Sequence, residues 1–397
     1  MANNLMNTYG RLPITVDFAQ GAYVWDTDGK RYLDALSGIA VCSLGHAHPA
    51  VAKAVSEQAH MLVHTSNLYH IPQQEKLATD LCKLAKMDSV FFGNSGAEAN
   101  EAAIKLARLY GHKKGIQNPQ IIVTDGSFHG RTMATLSATG NRKIQAGFEP
   151  LVQGFLRVPY NDVETIKNVA EMNQNVVAIL VEPVQGEGGI NIPDADYLTQ
   201  LRQICDDNGW LLMLDEIQTG MGRTGKWFAH QHAKIIPDVM TLAKALGNGL
   251  PIGACLAKGG AAKVLQPGTH GSTYGGNPLV CAAAQAVVDT MSKEKTPAAA
   301  ARMGTQLVKG FSKTLAGQTG ITDIRGLGMM IAIELDRPCA ALVKLAADAG
   351  LLINVTAGNV VRLLPPLNLK DKEAKALISE LSVVITDFLN HNNEEAS

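Results

Sequence analysis

From Trp210 to Ile217 the chain reads WLLMLDEI, five apolar residues in succession that end in Asp215 and Glu216. A run with no alternation needs apolar cover on both faces, so it predicts an interior strand of a parallel-type sheet. Val176 to Val181, VVAILV, makes the same demand and ends in Glu182-Pro183. Ile121 to Thr124 is a shorter β-branched strand followed by Asp125-Gly126. A helical stretch, Asp196 to Asn208, separates two of these runs. Buried strands spaced by helices define an α/β fold, and in open sheets of that kind ligands bind outside the carboxyl ends of the strands.

Ile235 to Ala257, IIPDVMTLAKALGNGLPIGACLA, carries only two charges, Asp238 and Lys244. Val239 to Ala243 read as another short buried strand, with Lys244 at its end before a glycine-rich turn. Burial disfavours the charged form of an amine, which lowers its pKa and frees it as a nucleophile. The pattern also suits a lysine whose stem lies along the core while its head reaches water. Asp215, at the end of a neighbouring strand, gives Lys244 a possible partner. The two can form a structural ion pair. They also match pyridoxal phosphate, which needs an amine to condense with its aldehyde and an acid to keep its ring nitrogen protonated.

At 397 residues the chain has room for two or three domains. A hydrophobic content of 46% with 38 glycines fits a loop-rich α/β enzyme with a large core. The net charge of −1 gives no reason to expect nucleic acid or an anionic membrane as partner. Six cysteines are scattered without metal-ligand spacing, which predicts free thiols in a reducing compartment. The N-terminus has neither signal-peptide nor presequence character, and no uninterrupted apolar run is long enough to span a bilayer. These features predict a soluble cytoplasmic protein. Apart from Cys42, His46 and His48 lie near no carboxylate or cysteine in sequence, so a helix-capping turn before Pro49 is expected there rather than a metal site.

Further polar loops follow strand-like runs. Asn94-Ser95-Gly96-Ala97 opens a helix through small residues, whose free N–H groups offer an anion site, although a capped helix start needs no ligand. Phe128 sits in the glycine-flanked loop SFHGRT, suited either to stacking on a planar ring or to filling core. Arg131 in the same loop can present its fork to a carboxylate or form a surface ion pair. Glu182 and Glu187 lie in a shaped Pro/Gly loop. Glu216 to Gly225 lacks the lysine-hydroxyl ending of a nucleotide-binding loop. Arg362 stands inside the apolar strand VVRLL and needs a carboxylate, from the protein or from a substrate.

In order, NSGAEANEAAIKLAR (from Asn94), SFHGRT (from Ser127), VEPVQGEGG (from Val181), LLMLDEIQTGMGRTG (from Leu211), LAKALGNGLPIGA (from Leu242) and GSTYGGNPL (from Gly271) resemble the class III aminotransferases. The likeness runs from about Tyr9 to Leu367. It implies the fold-type I architecture of pyridoxal-phosphate transferases: a large domain (49–290) with a mostly parallel sheet sandwiched by helices, and a smaller α+β domain (291–397) joined by the N-terminal segment (1–48). It also implies a homodimer with shared active sites.

By this resemblance Lys244 holds the cofactor covalently and acts as general base, Asp215 pairs with the pyridine nitrogen, and Gln218 lies by the phenolic oxygen. Ser95, Gly96 and Ala97 hold the phosphate with Thr273 of the second subunit. Ala97 stands where the class often has threonine, so only its backbone donor remains. Phe128 stacks on the ring. Arg131 binds the distal carboxylate of the substrate, with Ser272 and Tyr9 as further contacts. Glu187 and Arg362 form a switch, with Glu182 shaping the same loop. The segment GIAVCSLGHAHP (Gly38 to Pro49) is most similar to the branch acting on N2-acetylornithine, which implies amine transfer to 2-oxoglutarate in arginine biosynthesis. Ile39 replaces an aromatic hydroxyl expected in enzymes of free ornithine, which favours an acylated substrate. Succinylornithine, N-succinyl-diaminopimelate, ornithine, 4-aminobutyrate and an aminomutase reaction are the alternatives.

Overall fold

The computed structural model describes residues 4–394. Its first three strands, β1 (Val16–Gln20), β2 (Tyr23–Asp26) and β3 (Arg31–Asp34), form an antiparallel meander. The Asp28-Gly29 turn joins β2 to β3, with Gly29 at a φ of 80° that a side chain would resist. Asp26 tightens that turn by accepting the N–H groups of Asp28 and Lys30. Pro49–Met61 is helical, as its apolar spacing predicts.

The central sheet contains β4 (Ser89–Gly93), β5 (Gln120–Thr124), β6 (Phe155–Val158), β7 (Val176–Val181), β8 (Leu211–Asp215), β9 (Val239–Leu242) and β10 (Gly253–Ala257). Their spatial order is β4-β10-β9-β8-β7-β5-β6. Only β10 runs against its neighbours, so the sheet is mostly parallel, as expected. The continuous apolar runs are explained by cover on both faces. Val177 and Leu180 pack toward the helix Gly96–Lys113, while Val176, Ile179 and Val181 pack toward the helices Val163–Met172 and Tyr197–Asn208. Two strands went unmarked in the sequence. β6 is four residues long and includes Arg157, and β10 is built of small residues that read as a continuation of the glycine-rich turn.

Beyond the helices Pro278–Glu294 and Thr296–Thr314 come β11 (Ile321–Leu327), β12 (Met330–Leu335), β13 (Leu351–Leu352), β14 (Asn354–Thr356) and β15 (Val360–Leu363). β11-β12-β15-β14 form a second antiparallel sheet, backed by the final helix Asp371–Glu394. The sequence reading omitted β11, because its polar residues and partial exposure mask the alternation. β13 leaves this group and pairs in parallel with β3, Leu351 opposite Leu33. The N-terminal meander is thereby stitched to the C-terminal part of the chain.

Candidate active site

Five strand ends meet at one edge of the central sheet. β4 leads to Asn94–Ala97, β5 to Phe128 and Arg131, β7 to Glu182 and Glu187, β8 to Asp215 and Gln218, and β9 to Lys244. All of these line one cavity of about 420 Å³. The convergence follows from parallel topology, since each βα crossover returns the chain so that like ends stay together.

At the floor, Ser95 caps the helix Gly96–Lys113, its Oγ accepting the N–H of Glu98 at 3.1 Å. The first N–H groups of a helix have no upstream carbonyl to bind, so Gly96 and Ala97 present donors and a positive dipole end to the cavity. Gly96 is required by close approach: a Cβ there would fall 2.8 Å from Ile217 Cδ1. The missing side chain lets the helix start sit directly against the loop after Asp215.

Asp215 is buried, and its Oδ2 lies 2.8 Å from both Asn100 Nδ2 and His129 Nδ1, while its Oδ1 accepts the N–H of Ile217. Lys244 begins a short 3₁₀ turn with φ at 44°, a left-handed conformation that costs a residue with a Cβ about 1 kcal/mol or more. Burial holds its amine below the usual lysine pKa. Glu187, Asp215 and Glu182 oppose that shift, whereas Arg362 adds to it. The lysine is therefore not laid along the core with its head in bulk water. It projects into the cavity.

Glu182 is the strongly perturbed acid, pushed up to about 7 by burial first and by the neighbouring Asp215 charge second. Its oxygens accept the N–H groups of Phe128 and Gly186, so it braces the two loops that flank the cavity. Phe128 is half-buried, and the Arg131 guanidinium stands 5.6 Å from its ring centroid. Arg131 has no carboxylate partner among the described residues, although it lines the cavity. Arg362 differs. Its side chain is 1% exposed, Nη1 donates to Glu187 Oε1 at 2.6 Å, and Nη2 donates to Asn354 Oδ1 at 2.7 Å. The carboxylate required for this arginine thus comes from the protein itself.

Some expected contacts are not brought together within one chain. Thr273 is exposed and Ser272 half-buried, and neither lines the cavity. Ser272 Oγ instead accepts hydrogen bonds from Asn94 Nδ2 and the N–H of Gly275. Tyr9 is 71% exposed, also away from the cavity, near Arg11. Near the two histidines of the N-terminal segment, His46 bonds Asp34 at 2.7 Å, an acid twelve residues upstream. Sequence reasoning missed Asn100, His129 and Asn354. A buried asparagine inside an alanine-rich helix was the available signal for the first, and a histidine between Phe128 and Gly130 for the second.

The residues fit pyridoxal phosphate on their own chemistry. An amine with a lowered pKa faces the cavity, a carboxylate is bonded by Asn100, His129 and the Ile217 N–H, and a helix start offers N–H groups. The carboxamide of Gln218 has an Oε1 buried without a partner in the protein, a bonding capacity that a ligand can meet.

This fold and site define a class. The family model for Aminotransferase class-III matches residues 5–385, and the chain belongs to that family. It is 58% identical to the acetylornithine aminotransferase of Nitrosomonas europaea over 98% of both chains. Among solved structures it resembles the N-acetylornithine aminotransferase of Stenotrophomonas maltophilia, with 36% identity, a TM-score of 0.85 and coverage of 96% of this chain and 98% of that one. It also resembles an ornithine aminotransferase of Toxoplasma gondii whose active site is partly occupied by PLP. That likeness has 34% identity and a TM-score of 0.93, covering 99% of this chain and 94% of the other.

Proposed function

We propose that this chain transfers the terminal amine of N2-acetylornithine to 2-oxoglutarate, giving N-acetylglutamate 5-semialdehyde and glutamate, with pyridoxal phosphate as cofactor. The observation that carries this reading is the unequal state of two arginines, Arg131 open to the cavity and Arg362 neutralised by Glu187. An acylated ornithine brings one carboxylate and glutamate brings two. Arg131 serves the carboxylate far from the reacting amine in both half-reactions. Arg362 is masked for the first substrate and released to bind the α-carboxylate of the second. The ping-pong order follows, because one site takes the two substrates in turn.

When bound, pyridoxal phosphate supplies an aldehyde that exchanges amines and a ring that takes up electrons. Ser95, Gly96 and Ala97 would hold its phosphate at the helix start, Phe128 would stack on the ring, and Gln218 would meet the phenolic oxygen. Asp215 would hold the proton at the ring nitrogen. Lys244 Nζ, its pKa lowered by burial, would tether the group between turnovers and move the substrate proton as general base. Glu182 positions the Phe128 loop. Ser272 and Tyr9 are assigned to the substrate side.

Thr273 belongs to the phosphate site of a second copy of the chain, which makes the working unit a homodimer with shared sites. Exposed apolar side chains support this, with Met61, Leu62, Val63, Leu68, Tyr69 and Tyr274 all open to solvent in the single chain. The β3–β13 pairing supports grouping 1–48 with 291–397 beside a larger unit of 49–290. Six free cysteines suit a reducing cytoplasm. Among the described residues no helix is long and apolar enough to cross a membrane.

For the acyl preference, the 58% identity to an acetylornithine enzyme favours acetylornithine, whereas Ile39, the residue expected to favour an acyl group, does not line the cavity of the single chain, where Val41 does. Initial rates on acetylornithine, succinylornithine, ornithine and 4-aminobutyrate test this, with acetylornithine expected to lead. A wide lead for ornithine or 4-aminobutyrate would overturn the assignment. Light scattering tests the dimer, and a mixture of K244A and T273A chains that regained partial activity would support the shared site.

A further inference from the structure

Asn100 is wholly buried in the second turn of the helix that starts at Gly96, and it does not line the cavity. A buried amide must be satisfied on both ends or it destabilises the fold. Here its Oδ1 accepts the Thr241 hydroxyl at 2.7 Å, and its Nδ2 donates to Asp215 Oδ2 and to the carbonyl of His129, each at 2.8 Å. The orientation is chemically forced. The carbonyl only accepts, and so does an ionised carboxylate, so a flipped amide would set its oxygen against two other oxygens.

The same geometry constrains Asp215. Asn100 Nδ2 and His129 Nδ1 both converge on Oδ2. Asn100 Nδ2 donates to Oδ2, as does His129 in its Nδ1–H tautomer, and Oδ1, which accepts the Ile217 N–H at 3.1 Å, is the oxygen left to meet a ligand in the cavity. Thr241 stands opposite Asp215 in the β8/β9 register, three residues before Lys244. One amide therefore ties together the helix with the anion-binding start, the strand of the acid and the strand of the lysine.

We infer that Asn100, oriented by Thr241, is a positioning residue that fixes the Asp215 carboxylate with Oδ1 aimed into the cavity, toward the ring nitrogen of the cofactor. This rests on the cavity being a pyridoxal phosphate site. The test uses the full-length protein stripped of cofactor, as wild type, N100A and T241V. Three quantities are measured: the dissociation constant for pyridoxal phosphate, the pH midpoint of the visible band of the loaded protein, and the melting temperature of the stripped protein. Loss of one charge-assisted hydrogen bond predicts a dissociation constant raised about tenfold in N100A. T241V should show a smaller rise of the same sign, and the midpoint should move in both. Unchanged affinity and midpoint with only a lower melting temperature would reduce Asn100 to packing and overturn the proposal. If N100A does not fold, T241V alone decides between these results. Failure of the wild type to take up pyridoxal phosphate would instead overturn the reading of the cavity, and this proposal with it.

Discussion

Arg362 Nη1 and Glu187 Oε1 lie 2.6 Å apart, although β15 carries one and the loop after β7 carries the other. The arginine is almost fully buried, whereas the glutamate side chain is 36% exposed. Asn354, opposite Arg362 in the β14/β15 register, holds the second guanidinium nitrogen. The two partners are therefore unequal. The arginine is clamped by a bond that does not involve Glu187, and the glutamate can swing toward solvent without dragging it.

That asymmetry predicts the effect of Glu187→Ala. The variant leaves Arg362 charged and unmasked at all times. Single-turnover measurements should show the acylornithine half-reaction weakened, while the glutamate half-reaction is kept or improved. Removing one hydrogen bond to a charged group is worth about 1.5–3 kcal/mol, so discrimination between the two substrates should fall on the order of 10- to 100-fold. Equal losses in both half-reactions would contradict the switch.

Arg131 makes a different prediction. It is exposed, and among the described residues it pairs with no carboxylate. Arg131→Leu should leave the melting temperature within about 0.5 kcal/mol equivalents of wild type. It should lower kcat/KM on the order of 100-fold for both substrates, because the charged partner of the shared distal carboxylate is gone. A loss confined to one substrate would reassign this arginine.

For Lys244→Ala, turnover should fall by about 10³ or more, and the cofactor should come off the protein on denaturation or gel filtration without any covalent link to reduce with borohydride. Burial holds the lysine amine below its ordinary pKa, so folding opposes its protonation. The cofactor-free variant should therefore be no less stable than wild type near neutral pH in a denaturant titration. A marked destabilisation would mean that the lysine serves the fold.

The pH dependence of stability should reveal the His46–Asp34 pair. His46 is raised to about 10, first by Asp34, then by Cys42, against the opposing effect of burial. Unfolded histidine titrates near ~6.5. A basic group with a raised folded pKa contributes its full stability below the unfolded value and loses it as pH rises through the folded one. Wild-type stability should accordingly decline between about pH 6.5 and 10, and His46→Gln should show a shallower decline over that window. Parallel urea-midpoint curves for the two proteins would contradict the assignment.

Much of the chemistry was readable along the chain because it is local. A strand buried on both faces must be apolar throughout, so the polar residue that ends it stands out. Asp215, Glu182 and Lys244 were each found this way. Small residues at Ser95-Gly96-Ala97 identified a helix start open to an anion for a similarly local reason. β11 was not legible, because a half-exposed strand with Asp323 and Arg325 looks like a loop until β12 pairs with it.

Residue types, their order and the strands that present them were thus set out in the linear chain, since local burial dictates them. Partnership was not. Asn354 as the anchor of Arg362, Asn100 as the donor to Asp215 and Asp34 as the acid beside His46 depend on register and on packing between elements. Those relations come from cooperative burial of a shared core, and a hydrogen bond between distant segments leaves no periodicity in the chain.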